Sequence, residues 1–295
     1  MSAVPALLER AGARLAHELR CFLLALQFLT RIPVTGRLAE WVGYSPDLLR
    51  ASARYFPLVG ALLGLLTASV LALAWCALPT VAAAAWVAAL LALAAGLLLT
   101  GALHEDGLAD TFDGLGGSAQ RERALEIMKD SRLGSYGALA LVLSLLLKGA
   151  VLASLLQSAL ALALLALVWG HTVSRCAPLC LLYRYRHVGD LAGAKSKPLA
   201  DGIGRMGLLW ACAQALALLL VSAAAVSAWA DLPWGVLLLA LLAALLGAAG
   251  GAFVLARWLL RRLGGYTGDG LGATQQAAEI GLWLALLLAV APRWP

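Results

Sequence analysis

The segment PWGVLLLALLAALLGAAGGAFVLA, residues 233–256, contains no charged side chain in 24 consecutive positions. At 1.5 Å per residue, an α-helix of this length spans roughly 36 Å, which exceeds the roughly 30 Å hydrocarbon core of a bilayer. A surface helix of a soluble protein would carry a polar face, and no polar stripe recurs here. The segment therefore predicts a transmembrane helix.

Further apolar blocks of this kind extend along the chain. They lie near 56–77, 80–102, 137–156, 158–182 and 207–230, with a shorter block at 280–292. The chain of 295 residues is 62% hydrophobic and 13% charged, about half the charged share of a soluble domain. We predict an all-α integral membrane protein, a polytopic bundle of about six or seven transmembrane helices. It forms a single membrane-embedded catalytic domain over 1–295, with the bundle at 56–295.

The N-terminal segment 1–55 is predicted to be cytoplasmic or interfacial, because its apolar stretch 21–30 is too short to span. Basic residues are concentrated in this segment and in the connections 103–136, 183–206 and 257–270, whereas the opposite turns have none. By the positive-inside rule, the N-terminus and all long polar loops face the cytoplasm.

The net charge of +6 follows from this distribution and also suits anionic membrane lipids. The basic residues are dispersed, so nothing indicates nucleic-acid binding. Small-residue pairs, Gly60 with Gly64 and Gly247 with Gly251, indicate close helix packing and are compatible with a homo-oligomer.

An acidic stretch, LHEDGLADTFDGLGG at 103–117, follows the second apolar block. Asp106, Asp110 and Asp113 are spaced i, i+4, i+7, which places them on one face of a helix. Like charges at this spacing repel each other, and a hard cation such as Mg²⁺ or Mn²⁺ would relieve the repulsion. The alternative is a solvated acidic loop at a helix end.

A second acidic element, GGYTGDGLGATQQAAE at 264–279, also precedes an apolar block. It contributes Asp269 and Glu279, and we expect Glu279 to head the last span at the cytoplasmic entrance. Its glycines permit sharp turns or close approach of a ligand to the backbone. Two acidic elements on the same side of the membrane favour a shared metal site.

Basic side chains near these elements suit phosphate oxygens. They are Lys129 and Arg132 in MKDSRLGSYG (128–137), Lys195 and Lys197 in AKSKPLADGIG (194–204), and Arg175, His171 and Lys148 inside predicted spans. Carboxylates for a metal and cations for phosphate are what phosphoryl transfer requires. The chain has no P-loop and no kinase catalytic loop, which favours displacement on a pyrophosphate by an alcohol.

The stretch HEDGLADTFDG (104–114) resembles the H-x-D-G-L-A-D-T-x-D-G signature of cobalamin synthases, also called adenosylcobinamide-GDP ribazoletransferases. The resemblance continues through LQFLTRIPV (26–34), FPLVGALLG (56–64), RERALEIMKDSRLGSYG (121–137) and YTGDGLGATQQAAE (266–279). It implies an enzyme of the bacterial inner membrane with a cytoplasmic active site and Mg²⁺ as cofactor. Such an enzyme joins adenosylcobinamide-GDP to α-ribazole, or to its 5′-phosphate, and releases GMP.

The resemblance also implies roles for individual residues. His104, Asp106, Asp110 and Asp113 match the signature, and Glu105 falls on its variable position. The expected metal ligands are Asp106, Asp110, Asp113, Asp269 and Glu279. The expected pyrophosphate ligands are Lys129, Arg132, Arg175, Lys195 and Lys197. His104 is a candidate general base for the ribose hydroxyl or a hydrogen-bond orienter, and a carboxylate is the alternative proton acceptor.

Two other functions remain as alternatives at this point. The chain is more loosely similar to CDP-alcohol phosphotransferases, but it has D-G-L-A-D in place of D-G-x-x-A-R and a three-residue step from Asp110 to Asp113. A divalent-cation transporter would place carboxylates at mid-membrane, whereas we expect every acid except Asp231 at or outside the cytoplasmic edge.

Overall fold

The computed structural model describes residues 3–189, 199 and 202–290, with side chains from residue 9 onward. All regular elements in these ranges are helical. They are α1 (Ala3–Leu29), α2 (Gly36–Val42), α3 (Pro46–Ser52), α4 (Phe56–Ala77), α5 (Ala84–Thr100), α6 (Leu103–Gly117), α7 (Arg121–Ile127), α8 (Ser135–Ser158), α9 (Leu160–Ser174), α10 (Cys176–Arg184), α11 (Arg205–Ala230), α12 (Trp234–Leu263) and α13 (Gly268–Val290). The predicted all-α class is confirmed.

Six helical stretches are long and apolar enough to cross a membrane. They are Pro46–Ala77, Ser135–Ser158, Leu160–Arg184, Arg205–Ala230, Trp234–Leu263 and Gly268–Val290. A seventh arises if α5 and α6 are counted as one broken span. The prediction of about six or seven transmembrane helices is therefore confirmed.

The block predicted at 80–102 forms a shorter helix, α5, followed by a sharp bend into α6. The two helix axes meet at 90°. Gly101 (φ 65°) and Ala102 (φ 58°) both adopt the left-handed conformation at this point. This conformation ends α5 and turns the chain, and for a non-glycine residue such as Ala102 it costs about 1 kcal/mol. The acidic stretch consequently runs across the bundle end rather than continuing the span.

The last span differs most from its prediction. It begins at Gly268, twelve residues before the predicted start, because Thr267 caps it: the Gly270 N–H donates to Thr267 Oγ1 at 3.0 Å. Glu279 therefore lies midway along α13, where it is only 2% exposed. The expectation that Glu279 heads the span at its entrance is wrong, because the polar residues before it face the bundle interior.

The apolar stretch 21–30 forms most of the final third of α1, a continuous 27-residue helix. This helix is not among the candidate spans. Beyond its end, the Arg31 N–H donates to the Leu99 carbonyl at 2.7 Å, and the Arg31 side chain packs against Gly101. The N-terminal segment thus contacts the bend between α5 and α6.

Glycines allow close approach of helices at two interfaces, as their spacing predicts. A Cβ on Gly64 of α4 would lie 2.6 Å from Val168 Cα of α9. A Cβ on Gly251 of α12 would collide with the Ala277 carbonyl of α13. Gly250, the next residue, has no heavy atom within 4 Å of the corresponding position. Substitution of each of these adjacent glycines by alanine therefore distinguishes the effect of close helix packing from the effect of helix propensity.

We expect Gly251→Ala to destabilise the protein by about 1–3 kcal/mol, because the added methyl group forces α12 and α13 apart. Gly250→Ala should leave stability unchanged or raise it by about 0.5–1 kcal/mol, the usual gain in a helix. The measurement is thermal unfolding of both variants in detergent. Equal effects of the two substitutions would contradict the α12–α13 contact.

Candidate active site

Helix α6 crosses the beginning of α13 in close contact. A Cβ on Gly107 would lie 2.7 Å from the Asp269 carbonyl oxygen, and one on Gly272 would lie 3.3 Å from His104 Cα. Only glycine at position 107 permits this approach of the two backbones. The crossing brings both acidic elements of the sequence together, as predicted.

Three aspartates meet where the helices cross, and we call Asp106, Asp110 and Asp269 the acidic triad. Asp106 is exposed, and the other two are partly buried. The carboxylate of Asp110 interacts electrostatically with those of Asp269 and Asp106, and Asp269 interacts with Asp106. No basic side chain in the part of the chain that the structure describes forms an ion pair with any of the three. Their mutual repulsion is therefore not relieved by a basic side chain of these residues.

The donor set of the acidic triad fits a hard divalent cation. Carboxylate oxygens are the protein ligands that Mg²⁺ prefers, and neutralisation would remove the repulsion. Among the described residues, no group of three or more His, Cys, Asp or Glu side chains forms a ready-made metal cage. Mg²⁺ is usually bound by one or two carboxylates, with waters and substrate phosphates completing the shell, so an open arrangement suits it.

Asp113 makes different contacts from the acidic triad. Its two carboxylate oxygens accept hydrogen bonds from the N–H groups of Gly134, at 2.7 Å, and Gly137, at 2.8 Å. The side chain is buried and caps the N-terminus of α8. Asp113 thus joins the acidic helix to the segment MKDSRLGSYG.

Two further contacts hold the acidic triad in position. Residue His187 forms a parallel bridge with Tyr266, two residues before α13 begins. At the other end of α6, Arg262 donates to the carbonyls of Leu115, at 3.0 Å, and Ser118. A basic side chain thereby satisfies helix-terminal carbonyls that lack an intrahelical partner.

A second polar cluster lies inside the bundle, and we call it the inner network. Its members come from α6, α8, α13 and the junction of α9 with α10. They are Glu105, Lys148, His171, Arg175, Gln275, Gln276 and Glu279.

The inner network is organised around Lys148, which is 3% exposed. Its ammonium group lies 3.0 Å from Glu279 Oε1 and 2.5 Å from Gln276 Oε1. Gln276 also donates to Glu105 at 2.9 Å, and Gln275 donates to Glu279 at 2.7 Å. The charged groups are therefore paired, as burial in a membrane-spanning bundle requires.

Glu279 is consequently separated from the acidic triad. It lies ten residues after Asp269 on the same continuous helix, a rise of about 15 Å. His104 is also buried, and it lines the same cavity as Lys148, His171 and Glu279. This cavity of about 20 Å³ has room for about one water molecule rather than a substrate.

The candidate phosphate ligands occupy two different environments. Arg175 is 2% exposed and donates to the His171 carbonyl at 2.8 Å, within the inner network. Lys129 and Arg132 are exposed, in the segment that leads to α8. Arg132 pairs with Asp130, and its hydrogen bonds lower the pKa of Asp130 to about 2. Lys195 and Lys197 lie outside the described residues.

Sequence reasoning assigned no role to Glu105, Gln275 or Gln276. Glu105 falls on a variable position of the family signature, yet it reaches the inner network through Gln276 and lies 3.9 Å from Lys148. The available signal was spacing, because Gln275 and Gln276 precede Glu279 by four and three positions, and so share its helix face. Arg31, within LQFLTRIPV, contacts the bend before α6, and no sequence pattern predicts this role.

Removal of the Asp113 cap should destabilise the protein. We expect Asp113→Ala to cost about 2 kcal/mol, because two N–H groups lose their acceptor. Asp106→Ala should change stability by less than about 0.5 kcal/mol, since this exposed carboxylate has no described partner. Both are compared with the wild type by thermal unfolding in a chelator. A larger loss of stability in Asp106→Ala than in Asp113→Ala would contradict the assignment of Asp113 as the cap of α8.

The inner network should show strong pairwise coupling. Lys148→Met leaves Glu279 buried without its cation, which costs about 3–5 kcal/mol. Addition of Glu279→Gln should recover part of this loss, with a coupling of about 1–3 kcal/mol. A double-mutant cycle based on unfolding in detergent measures it. Strictly additive losses would show that the two side chains do not interact.

Comparison with known proteins identifies the family of the chain. The model of the family described as CobS, cobalamin-5-phosphate synthase, matches residues 21–287. A protein of Albidiferax ferrireducens named adenosylcobinamide-GDP ribazoletransferase is 52% identical over 281 residues, covering 94% of this chain and all of that protein.

Two more relatives bear the same name. The protein of Polaromonas naphthalenivorans is 49% identical and covers 92% of this chain and 99% of its own. The protein of Shewanella piezotolerans is 44% identical and covers 94% of this chain and 98% of its own. No solved structure matches the chain. Both the family model and these near-full-length relatives show that the chain belongs to the cobalamin-5-phosphate synthase family.

Proposed function

We propose that this chain joins adenosylcobinamide-GDP to α-ribazole, or to its 5′-phosphate, and releases GMP. The observation that carries the proposal is the meeting of Asp106 and Asp110 on α6 with Asp269 on α13, in two of the segments that resemble the family. The names of the relatives support the same reaction.

The proposed reaction is a displacement at phosphorus. The ribose 3′-hydroxyl oxygen forms a bond to the phosphorus attached to the aminopropanol arm of the corrinoid. The bond from that phosphorus to the bridging oxygen breaks, and GMP leaves with the bridging oxygen. A divalent cation held by the acidic triad would neutralise charge on the phosphate oxygens.

The chain itself holds the reacting groups and accepts the proton. We assign metal binding to Asp106, Asp110 and Asp269, since these carboxylates are accessible and unpaired among the described residues. Asp113 positions α6 against α8, and Glu279 stabilises the bundle through Lys148. The proton of the attacking hydroxyl passes to a carboxylate of the acidic triad, because His104 is buried beside the inner network. His104 is proposed to orient α6.

Basic side chains at the same end of the bundle are the proposed ligands of the pyrophosphate. Lys129 and Arg132 are exposed and lie in the segment that Asp113 holds beside α6. Arg132 would exchange Asp130 for a phosphate group, for which its planar guanidinium is equally suited. Lys195 and Lys197 are proposed on sequence alone, and Arg175 is assigned to the inner network instead.

We further propose that the protein resides in the bacterial inner membrane with the acidic triad facing the cytoplasm. The concentration of Lys and Arg in the segments on that side supports this orientation. Mg²⁺ is the proposed metal and Mn²⁺ an alternative. Membrane lipids are proposed partners. A homo-oligomer remains a proposal that the glycine pairs do not support, because they pack against other helices of the same chain.

The proposal predicts metal-dependent GMP release by the purified protein. Asp106→Asn, Asp110→Asn and Asp269→Asn should each lower the rate at least about 100-fold, as loss of a preorganised charge does in other enzymes. Asp47→Asn is the matched control, since Asp47 is an exposed acid of α3 outside the proposed site, and should retain more than about a third of the rate. The assay contains adenosylcobinamide-GDP, α-ribazole and Mg²⁺.

A second measurement separates metal binding from catalysis. Mg²⁺ should raise the unfolding temperature of the wild type and of Asp47→Asn but not that of the three triad variants. Full activity of the triad variants would show that these aspartates do not hold the catalytic metal. It would not contradict the proposed reaction. Absence of GMP from folded wild type with verified substrates would refute the proposed reaction.

A further inference from the structure

A groove separates α10 from α12 on the outer surface of the bundle, away from the acidic triad and the inner network. It has a volume of about 430 Å³, within the range of ligand pockets. Small side chains line it: Ala248, Ala249, Ala252 and Ala256 of α12, with Ala177 and Cys180 of α10. The small side chains of α12 and α10 leave this space open between the two helices.

The position of the groove exposes it to lipid. It lies between two candidate spans, Leu160–Arg184 and Trp234–Leu263, and only 28% of the apolar window of the second is buried within the protein. Phe253 on its wall is 63% exposed. An apolar, chain-sized recess at such a surface is filled by the hydrocarbon around it.

One end of the groove is strongly basic. A smaller recess of about 230 Å³ adjoins it through Tyr185, Phe253 and Ala256, and it contains Arg257 and Arg261. Arg184 completes the basic end. All three arginines are exposed, and none pairs with a carboxylate of the residues that the structure describes. A tyrosine and unpaired cations at the end of two spans are typical of the level of lipid headgroups.

We propose that this groove is a binding site for one anionic phospholipid. An acyl chain occupies the alanine-lined part between α10 and α12, and the phosphate lies among Arg184, Arg257 and Arg261. The combination of an apolar channel with a cationic end matches both parts of such a lipid. This inference does not depend on the proposed reaction.

Native mass spectrometry tests the proposal. Purified protein is incubated with equal amounts of phosphatidylglycerol and phosphatidylethanolamine of identical chains, and the retained lipid is counted. We expect one phosphatidylglycerol per protein. The double substitution Arg257→Gln with Arg261→Gln should weaken its retention about 25-fold, since each basic residue near anionic lipid contributes about fivefold. Ala252→Phe should fill the channel and reduce retention of either lipid.

Matched controls distinguish lipid binding in the groove from lipid binding elsewhere on the protein surface. Arg205→Gln removes an exposed arginine at the start of α11, and Leu246→Phe adds bulk to a 64% exposed position of α12 outside the groove. Both should retain lipid like the wild type. Equal retention of the two lipids, or loss in the controls as large as in the groove variants, would overturn the proposal. A dimer that Ala252→Phe dissociates in the absence of lipid would assign the groove to a second copy of the chain instead.

Discussion

The crossing of α6 over α13 is the constraint on which the candidate site depends. Two helices approach each other this closely only where no side chain lies between them. Gly107 of α6 and Gly272 of α13 are the residues at this contact. Carboxylates at positions 106, 110 and 269 are then adjacent although 159 residues separate Asp110 from Asp269 along the chain. A larger residue at position 107 would push α6 away from α13 and so separate the two acidic elements, although it would change none of the carboxylates.

The interior of the bundle meets a different electrostatic requirement. Lys148, Arg175, Glu105 and Glu279 give equal numbers of positive and negative groups within a region that spans the membrane. A buried charge without a partner would be costly, so each group depends on another helix for its counter-charge or hydrogen bonds. The inner network therefore links α6, α8 and α13 at a fixed relative height.

Sequence reasoning predicted what depends on local pattern. Long apolar runs predicted α4, α8 and α11 within two residues at each end, and the spacing of Asp106, Asp110 and Asp113 predicted one helix. The start of α12 was also predicted, but this helix continues to Leu263, seven residues past the predicted end. It did not predict that Asp113 caps α8, because the capped N–H groups of Gly134 and Gly137 become neighbours only in the tertiary structure.

The depth of Glu279 was missed for a related reason. Hydropathy treats Gln275, Gln276 and Glu279 as a polar boundary, whereas their partner Lys148 lies on another helix and makes them compatible with the bundle interior. The bend before α6 was not predicted either, because nothing in an apolar run indicates that Gly101 and Ala102 adopt left-handed conformations.

The helix N-termini capped by Asp113 and Thr267 contribute to the electrostatic field at the candidate active site. Helices α8 and α13 both begin there, and each N-terminus carries the equivalent of about half a positive charge from its aligned peptide dipoles. The two helices direct roughly one unit of positive charge toward the place where four aspartates gather. Peptide groups, which do not titrate, thus offset part of the acidic charge without placing a basic side chain beside the carboxylates.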